Sequence, residues 1–264
     1  MDKFKEELFI KAGFNSADIP KTIFNYIKNF GVISLENGKE INLKSNSDTE
    51  VGLVIYSGMC DISIYGKTYK AIGGRKSVFD GLPAGIYIPI GTEYTIRSYD
   101  SVEIGVCSAK CDTKSEFAII YPEDIQVMQV GKENWHREVR TIIGKNSPSI
   151  NLIVGETINP PGNWSGTPPH RHENMNLPNE SVHEELYYFK TNRPEGFGIQ
   201  RIYSPEKYIN ELIFLKNGTI TFMPEGYHQI VAGPGHILYY LFFLAGEGKV
   251  LAGFVDPQHR WLIS

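Results

Sequence analysis

Short runs of β-branched and aromatic residues, separated by Gly, Asn, Asp and Pro, recur along most of the chain. Branched and aromatic side chains pack well on a pleated surface and the separating residues favour turns, so each run predicts a strand. The runs are Val32–Leu35, Val51–Tyr56, Asp61–Tyr65, Ile86–Pro89, Tyr94–Arg97, Val102–Ser108, Ile150–Ile158, Glu185–Phe189, Phe197–Tyr203, Thr219–Met223, Ile237–Leu244 and Lys249–Phe254. This spacing predicts an all-β chain of sandwiches or jelly-roll barrels rather than a βαβ sheet.

Two segments depart from this pattern. The first thirty residues mix Lys and Glu with spaced apolar residues around Pro20, which predicts one or two short helices over residues 1–30. The stretch Asp112–Lys145 is less apolar and more charged, and we interpret it as a connection between two lobes. We therefore expect an N-terminal lobe over residues 31–145 and a C-terminal lobe over residues 146–264.

Composition excludes several classes of partner. The chain has 264 residues and a formal net charge of -4, so no basic surface for nucleic acid is expected. The longest apolar stretch, Ile237–Ala245, is too short to cross a membrane, and the N-terminus has no secretory h-region. Cys60, Cys107 and Cys111 form no CxxC pair, which favours reduced thiols in a cytoplasmic protein. These features are compatible with a homo-oligomer.

Three histidines and one glutamate form a candidate metal-ligand set. His170 and His172 are two residues apart, so on a strand both point the same way while Arg171 faces the other side. Glu185 lies on the next predicted strand, and His228 follows a Pro-x-Gly turn. Imidazoles with one carboxylate suit a divalent ion such as Zn²⁺, Mn²⁺, Fe²⁺, Co²⁺ or Ni²⁺.

Two neighbouring residues keep the ligand assignment open. Glu184 is the rival of Glu185, because the residues alone do not show which of the two faces the interior. His183 shares the side of Glu185 and is a ligand, a residue that supports a ligand, or a polar residue near the start of the strand.

An internal repeat places these ligands in one lobe. Ile86–Tyr94 and Thr221–His228 share one pattern, a strand followed by a Pro-x-Gly turn and a second strand. His136 is the first histidine of the chain, and Tyr94 stands near the position that His228 occupies in the second copy. Unless it uses carboxylates alone, the N-terminal lobe is therefore expected to be a metal-free structural partner.

The ligand set resembles the two cupin motifs in altered form. The loop Glu173–Glu184 is longer than the usual gap between H-x-H and Glu, and one residue rather than two separates the turn from His228. With these departures the chain resembles the 5-deoxy-glucuronate isomerase family, a resemblance that covers nearly everything after about residue 30. It is carried by Asn159–His172, Asn176–Pro178, Glu184–Tyr188, Gly196–Tyr203, Pro224–His228, Leu238–Leu241 and Asp256–Trp261, and more weakly by Ser77–Pro83 and Val106–Ala109.

The resemblance implies a bicupin with a metal-dependent C-terminal barrel. The implied reaction converts 5-deoxy-D-glucuronate to 5-dehydro-2-deoxy-D-gluconate in myo-inositol catabolism. A related ketol-isomerase of pectin breakdown has its metal-binding Glu just before an aliphatic residue and Tyr, which favours Glu185 over Glu184. A related uronate isomerase, an Fe²⁺ dioxygenase and a non-catalytic metal-dependent sugar-binding cupin are the alternatives.

This aldose–ketose isomerisation passes through an enediolate, so it needs a Lewis acid and a proton carrier. Zinc is the expected ion, with manganese or iron as alternatives. The candidate bases are Tyr240, His183 and Glu173, and Tyr240 is equally well explained by core packing. Arg201 and Arg260 are the candidate partners of the substrate carboxylate, and Gln200 is a candidate partner of a sugar hydroxyl.

Overall fold

The computed structural model describes residues 4–20 and 22–263, and in this part the chain is built of strands with four short 3₁₀ helices. The strands are β1 (Lys5–Glu7), β2 (Gly13–Ser16), β3 (Ile27–Leu35), β4 (Glu40–Lys44), β5 (Thr49–Ser57), β6 (Met59–Ile64), β7 (Lys67–Gly73), β8 (Gly85–Ile88), β9 (Glu93–Ser98), β10 (Val102–Lys110), β11 (Ala118–Ile120), β12 (Gln126–Val130), β13 (Arg137–Ile143), β14 (Leu152–Asn159), β15 (Trp164–Arg171), β16 (His183–Thr191), β17 (Gly198–Ser204), β18 (Ile209–Leu215), β19 (Thr219–Met223), β20 (Tyr227–Ala232), β21 (Leu238–Gly246) and β22 (Phe254–Val255). The 3₁₀ helices are Pro122–Asp124, Glu133–Trp135, Pro205–Lys207 and Pro257–Ile263. The predicted all-β fold is confirmed.

The chain forms two compact units, each assembled from separate segments. The C-terminal unit contains Met1–Glu7, Val127–Arg140 and Gly155–Ser264, and the N-terminal unit contains Leu8–Gln126 and Thr141–Val154. Each unit thus includes chain from both sides of residue 145, where the sequence analysis placed its lobe boundary.

The N-terminal unit is a sandwich of two antiparallel sheets. The larger has the order β11-β8-β5-β10-β3-β2 and the smaller has the order β4-β9-β6-β7. Aliphatic side chains from both sheets fill the space between them, among them Ile33, Leu53, Ile62, Ile96 and Ile104, all fully buried. Burial of each such side chain stabilises the fold by about 1.5–3 kcal/mol.

One buried carboxylate ties the edge of this unit together. Glu50 is fully buried, and its Oε1 accepts hydrogen bonds from the N–H groups of Asn151 (2.7 Å) and Leu152 (2.8 Å). Its Oε2 accepts from the N–H of Ile150 (2.8 Å) and from the Tyr87 hydroxyl (2.7 Å). Four donors on one carboxylate satisfy a group that would otherwise be costly to bury.

Glu50→Gln is therefore expected to lower the free energy of unfolding by about 1–3 kcal/mol, because its amide NH₂ would face backbone donors. Urea unfolding measures the change. Glu93→Gln is the control, since Glu93 pairs with Lys44 on the exposed surface and the substitution is expected to leave the free energy of unfolding close to that of the wild type. Equal stability of Glu50→Gln and the wild type would contradict the prediction.

The C-terminal unit is also built around two sheets. One has the order β1-β19-β16-β21-β14-β13-β12, of which residues 155–159 of β14 and 137–140 of β13 belong to this unit. The other has the order β18-β17-β20-β15-β22. Side chains of both sheets form its core, including Phe189, Leu238, Ile202, Leu215 and Ile230. The predicted ligands lie on β15, β16 and β20 or directly after them, so both sheets contribute to one site.

Several sequence predictions about secondary structure are wrong. In the described part of residues 1–30 the chain forms β1, β2 and the start of β3, and no helix. The stretch Asp112–Lys145 contains β11, β12 and β13 rather than serving only as a connection. The predicted strand Lys249–Phe254 is irregular up to the two-residue strand β22.

The structure also bears on the cysteines and on membrane-spanning helices. All three cysteines are buried free thiols. Among the described residues, no helix is long and apolar enough to span a bilayer.

Candidate metal centre

The register of two neighbouring strands places the first histidines. His170 lies near the C-terminal end of β15 and pairs directly with His228 on β20. The pairing of β15 with β20 shifts between Ser165 and His170, where a bulge allows the strand to bend. His172 follows β15 by one residue, and its ring centre lies 6.1 Å from that of His170 and 5.4 Å from that of His228.

The fourth group comes from the opposite sheet. Glu185 lies on β16, and its Oε2 is 3.1 Å from Nε2 of His172 and 3.1 Å from Nε2 of His228. The side chain of its rival, Glu184, alternates to the other face of β16. One donor atom from each of the three histidines lies within 4.8 Å of the others, so the structure brings together a group that can hold a metal ion.

Backbone carbonyls orient all three imidazoles. Nδ1 of His172 donates to the carbonyl of His183 (2.6 Å), and Nδ1 of His170 donates to that of Pro168 (3.2 Å). Nδ1 of His228 faces the carbonyl of Gly226 at 3.4 Å. Protons on the three Nδ1 atoms leave each Nε2 with a lone pair, which is the form that ligates a metal.

A buried ring nitrogen without a hydrogen-bond partner also supports a metal site. Nε2 of His228 is buried and has no hydrogen-bond partner, although it lies close to Glu185. A buried polar atom without a partner costs about 1–3 kcal/mol. The donor set therefore fits a divalent cation with imidazole and carboxylate ligands.

The electrostatics of Glu185 and His170 favour the forms of these two groups that ligate a metal ion. Burial would raise the pKa of the Glu185 carboxyl, but His172 and His228 hold that pKa well below its usual range. Burial and the two neighbouring imidazoles lower the pKa of His170 to about 3. For His172, burial would lower the pKa, but the hydrogen bond and charge of Glu185 raise it. An ionised Glu185 and a neutral His170 are the forms that bind a cation.

Polar side chains extend the site into the barrel. The Tyr187 ring lies 5.9 Å from the His228 ring and 4.8 Å from the Tyr240 ring, so the two tyrosines continue from the ligands along one face of the large sheet. Gln200 and Ser165 pair with the same residue of β20, Ile230, and therefore share the inner face of His228. Gln200 Oε1 and Ser165 Oγ are buried without hydrogen-bond partners. This interior suits a polar ligand.

The three candidate bases occupy different environments. Tyr240 points into this interior, where burial raises the pKa of its phenol and Arg137 opposes the rise. Both ring nitrogens of His183 are engaged, Nε2 with the carbonyl of Gly248 (3.1 Å) and Nδ1 with the Ser181 hydroxyl (3.0 Å).

Glu173 is held by the loop that carries His228. Its Oε2 accepts a hydrogen bond from the N–H of Gly226 (2.9 Å) and lies 3.2 Å from Nζ of Lys207. Arg171 Nη1 lies 3.6 Å from its other oxygen. Glu173 thus supports the Pro-x-Gly turn, as His183 supports His172 through its carbonyl.

The candidate arginines lie away from the barrel interior. Arg201 alternates to the outer face of β17, where its guanidinium lies 4.1 Å from the Tyr203 ring and Nε bonds to Asn210 at 3.2 Å. Arg260 is exposed on the C-terminal 3₁₀ helix, with its guanidinium 5.3 Å from the Phe254 ring. Sequence reasoning missed Arg137, which lies in the stretch that it interpreted as a connection.

Comparison with known proteins adds the family context. A family model described as "KduI/IolB family" matches residues 15–262. The chain is 36% identical over 235 residues to a 5-deoxy-glucuronate isomerase of Geobacillus kaustophilus, covering 89% of this chain and 85% of that protein. It is 30% identical over 236 residues to a protein of the same name from Bacillus subtilis, covering 89% and 87%.

Solved structures show the same architecture. An IolB-like protein of Salmonella typhimurium superimposes with a TM-score of 0.93 at 27% identity, covering 99% of both chains. An oxalate decarboxylase of Lactobacillus farciminis superimposes with a TM-score of 0.68 at 10% identity, covering 97% of this chain and 89% of that one. The second likeness concerns the fold alone and agrees with the expected bicupin.

Proposed function

The chain belongs to the KduI/IolB family, and we propose from this that it is a metal-dependent isomerase of 5-deoxy-D-glucuronate. The product is 5-dehydro-2-deoxy-D-gluconate, an intermediate of myo-inositol catabolism. The observation that carries the proposal is the convergence of His170, His172, His228 and Glu185, with Nε2 of His172 and of His228 turned toward Glu185, in a chain whose relatives carry this enzyme's name.

The reaction moves hydrogen between two adjacent carbons. The C2–H bond breaks, a proton is delivered to C1, and the C2 hydroxyl becomes a carbonyl as the C1 carbonyl becomes a hydroxyl. A bound divalent ion supplies Lewis-acid stabilisation of the negative charge on the enediolate. His170, His172, Glu185 and His228 would hold this ion. Zinc or manganese meets the need for a Lewis acid, and iron has the same ligand preferences.

Tyr240 is the proton carrier in this proposal. Among the three candidates, Tyr240 is the one whose hydroxyl lies in the barrel interior. Its ring lies next to that of Tyr187, which contacts His228. His183 and Glu173 instead use their polar atoms to support the loops around the ligands. Arg137 favours the phenolate form of Tyr240, which a proton acceptor must reach.

Gln200 and Ser165 would bind sugar hydroxyls. Each has a buried oxygen without a partner on the inner face of the small sheet, and each oxygen can accept a hydrogen bond from a hydroxyl. The bound sugar would then replace the water that these atoms lose on folding. The buried free thiols are compatible with a reducing compartment, and we place the enzyme in the cytoplasm.

Metal removal tests the proposal. Dialysis against a chelator is expected to abolish conversion of 5-deoxy-D-glucuronate, and Zn²⁺ or Mn²⁺ is expected to restore it, because charge stabilisation by the metal contributes several kcal/mol. Product analysis by NMR measures both. Other uronates offered side by side test the substrate, and oxygen consumption tests for dioxygenase chemistry. A metal-loaded protein that leaves 5-deoxy-D-glucuronate unchanged would show that the proposal is wrong.

A further inference from the structure

Arg137 is a buried cation that lacks a counter-ion among the described residues. It lies on β13 in the C-terminal unit, and its side chain is 9% exposed. Nη1 donates to the carbonyl of Trp135 at 3.2 Å, and the guanidinium lies 5.9 Å from the Trp135 ring. Arg140, on the same strand, instead pairs with Glu138 at 2.7 Å and with Glu156 at 2.8 Å. Among the described residues, carboxylates therefore neutralise Arg140 and not Arg137.

The charge of Arg137 acts on the barrel interior. Burial lowers the pKa of its guanidinium, whereas Tyr240 and Tyr187 raise it. Both tyrosines belong to the inner face that carries Glu185, and Tyr187 reaches the His228 ring. Arg137 thus acts electrostatically on two tyrosines of this interior. Strand alternation turns its side chain to the face of β13 opposite that of Arg140 and its two carboxylate partners.

An arginine in this place is costly unless an anion binds to it. Arginine stays protonated in proteins, so it cannot escape the cost of burial by losing its proton. Neutral phenols and one carbonyl compensate only a small part of the hydration that a charged group loses. A carboxylate is the natural complement of the guanidinium, since its two oxygens match the planar fork.

We propose that Arg137 binds the carboxylate of the uronate substrate and thereby selects a sugar acid over a neutral aldose. The inference rests on the proposed isomerase function and deepens it. Since the carboxylate lies at the end of the molecule opposite the reacting C1 and C2, its binding to Arg137 also directs C1 and C2 toward the four metal ligands. Arg201 and Arg260, which the sequence favoured for this task, lie outside the interior.

Two substrates that differ only at C6 test the inference. Turnover of 5-deoxy-D-glucuronate is compared with that of 5-deoxy-D-glucose, in which a hydroxymethyl group replaces the carboxylate. For Arg137→Met we expect kcat/KM to fall about 10- to 100-fold more on the acid than on the neutral sugar, because only the acid loses a charge-assisted pair, whereas any effect through Tyr240 is common to both sugars. Arg137→Lys keeps the positive charge but lacks the planar guanidinium fork, so its kcat/KM on the acid is expected to lie between those of the wild type and Arg137→Met. It replaces Arg137→Met if that variant does not fold.

Arg201→Met and Arg260→Met are measured in parallel. Loss of acid preference in Arg137→Met alone supports the inference. Loss in Arg201→Met or Arg260→Met with Arg137→Met unaffected overturns it, and so does an equal fall on both substrates in Arg137→Met. Metal content and thermal unfolding are recorded for every variant, because damage to the fold would lower turnover of both sugars.

Calorimetry separates this inference from the proposed function. The ligand is the reduced acid, in which an alcohol replaces the C1 aldehyde, so it binds without turnover. If the wild type does not isomerise 5-deoxy-D-glucuronate but binds the reduced acid about 10- to 100-fold more tightly than Arg137→Met, the function is wrong and the carboxylate site stands. If turnover occurs and both proteins bind the reduced acid equally, the site is wrong and the function stands.

Discussion

His228→Ala is expected to remove the bound metal and to lower kcat about 10³-fold or more. In the proposed site His228 would supply Nε2 as a ligand. It also pairs with His170 across the strands, so its loss opens one side of the site. Lewis-acid stabilisation is worth several kcal/mol, and each 1.36 kcal/mol corresponds to about tenfold in rate. Elemental analysis of the purified variant and turnover of 5-deoxy-D-glucuronate measure the two effects.

His236→Ala is the matched control for this variant. His236 lies in the loop between β20 and β21, where its ring contacts Phe197 at 5.8 Å. It is not one of the clustered histidines, so its alanine variant should retain both metal and turnover. A His228→Ala protein with full metal content and wild-type kcat would contradict the assigned ligand set.

Tyr240→Phe is expected to lower kcat about 10²–10⁴-fold without loss of metal. The substitution removes only the hydroxyl, and general acid–base catalysis contributes a factor of this size. The ring packs against Tyr187 and Phe189, so phenylalanine should preserve the core. Steady-state kinetics measures the change, and incorporation of solvent deuterium at C1 reports proton delivery directly.

Tyr239→Phe provides the control for Tyr240→Phe. Tyr239 is fully buried and neighbours Tyr240 on β21, and alternation along the strand turns its side chain to the opposite face. The variant Tyr239→Phe should therefore have a kcat close to the wild-type value. If Tyr240→Phe stays within about threefold of wild type, far below the factor expected of a general base, Tyr240 is not the proton carrier.

The strand pattern was predictable because it is local. Runs such as Val51–Tyr56 and Thr219–Met223 carry the branched side chains that a buried strand needs, and both lie within observed strands. The short strands β1 and β2 were missed because their own residues give no such pattern. β1 is a strand because it pairs with β19, and β2 because it pairs with β3. Pairing with a distant strand overrides the weak preference of three or four residues.

The candidate metal site was likewise predictable only in part from the sequence. The i, i+2 spacing of His170 and His172 is visible in the sequence because strand side chains alternate. The approach of Glu185 to His172 and His228 depends on two sheets facing each other. The positions of Arg137 and Arg201 relative to the barrel depend on which face of each strand is buried, and nothing in the residues beside them shows this.

By itself, the sequence determined the all-β class, the residue types of a candidate metal centre and the family, because each of these depends on neighbours along the chain. Only the tertiary structure decided that the first residues are strands, that Tyr240 lies in the barrel while Arg201 and Arg260 lie outside it, and that Arg137 is buried without a described counter-ion. The physical reason is that burial, strand register and charge compensation arise between segments far apart in sequence. Local preferences of the residues do not encode which segments meet.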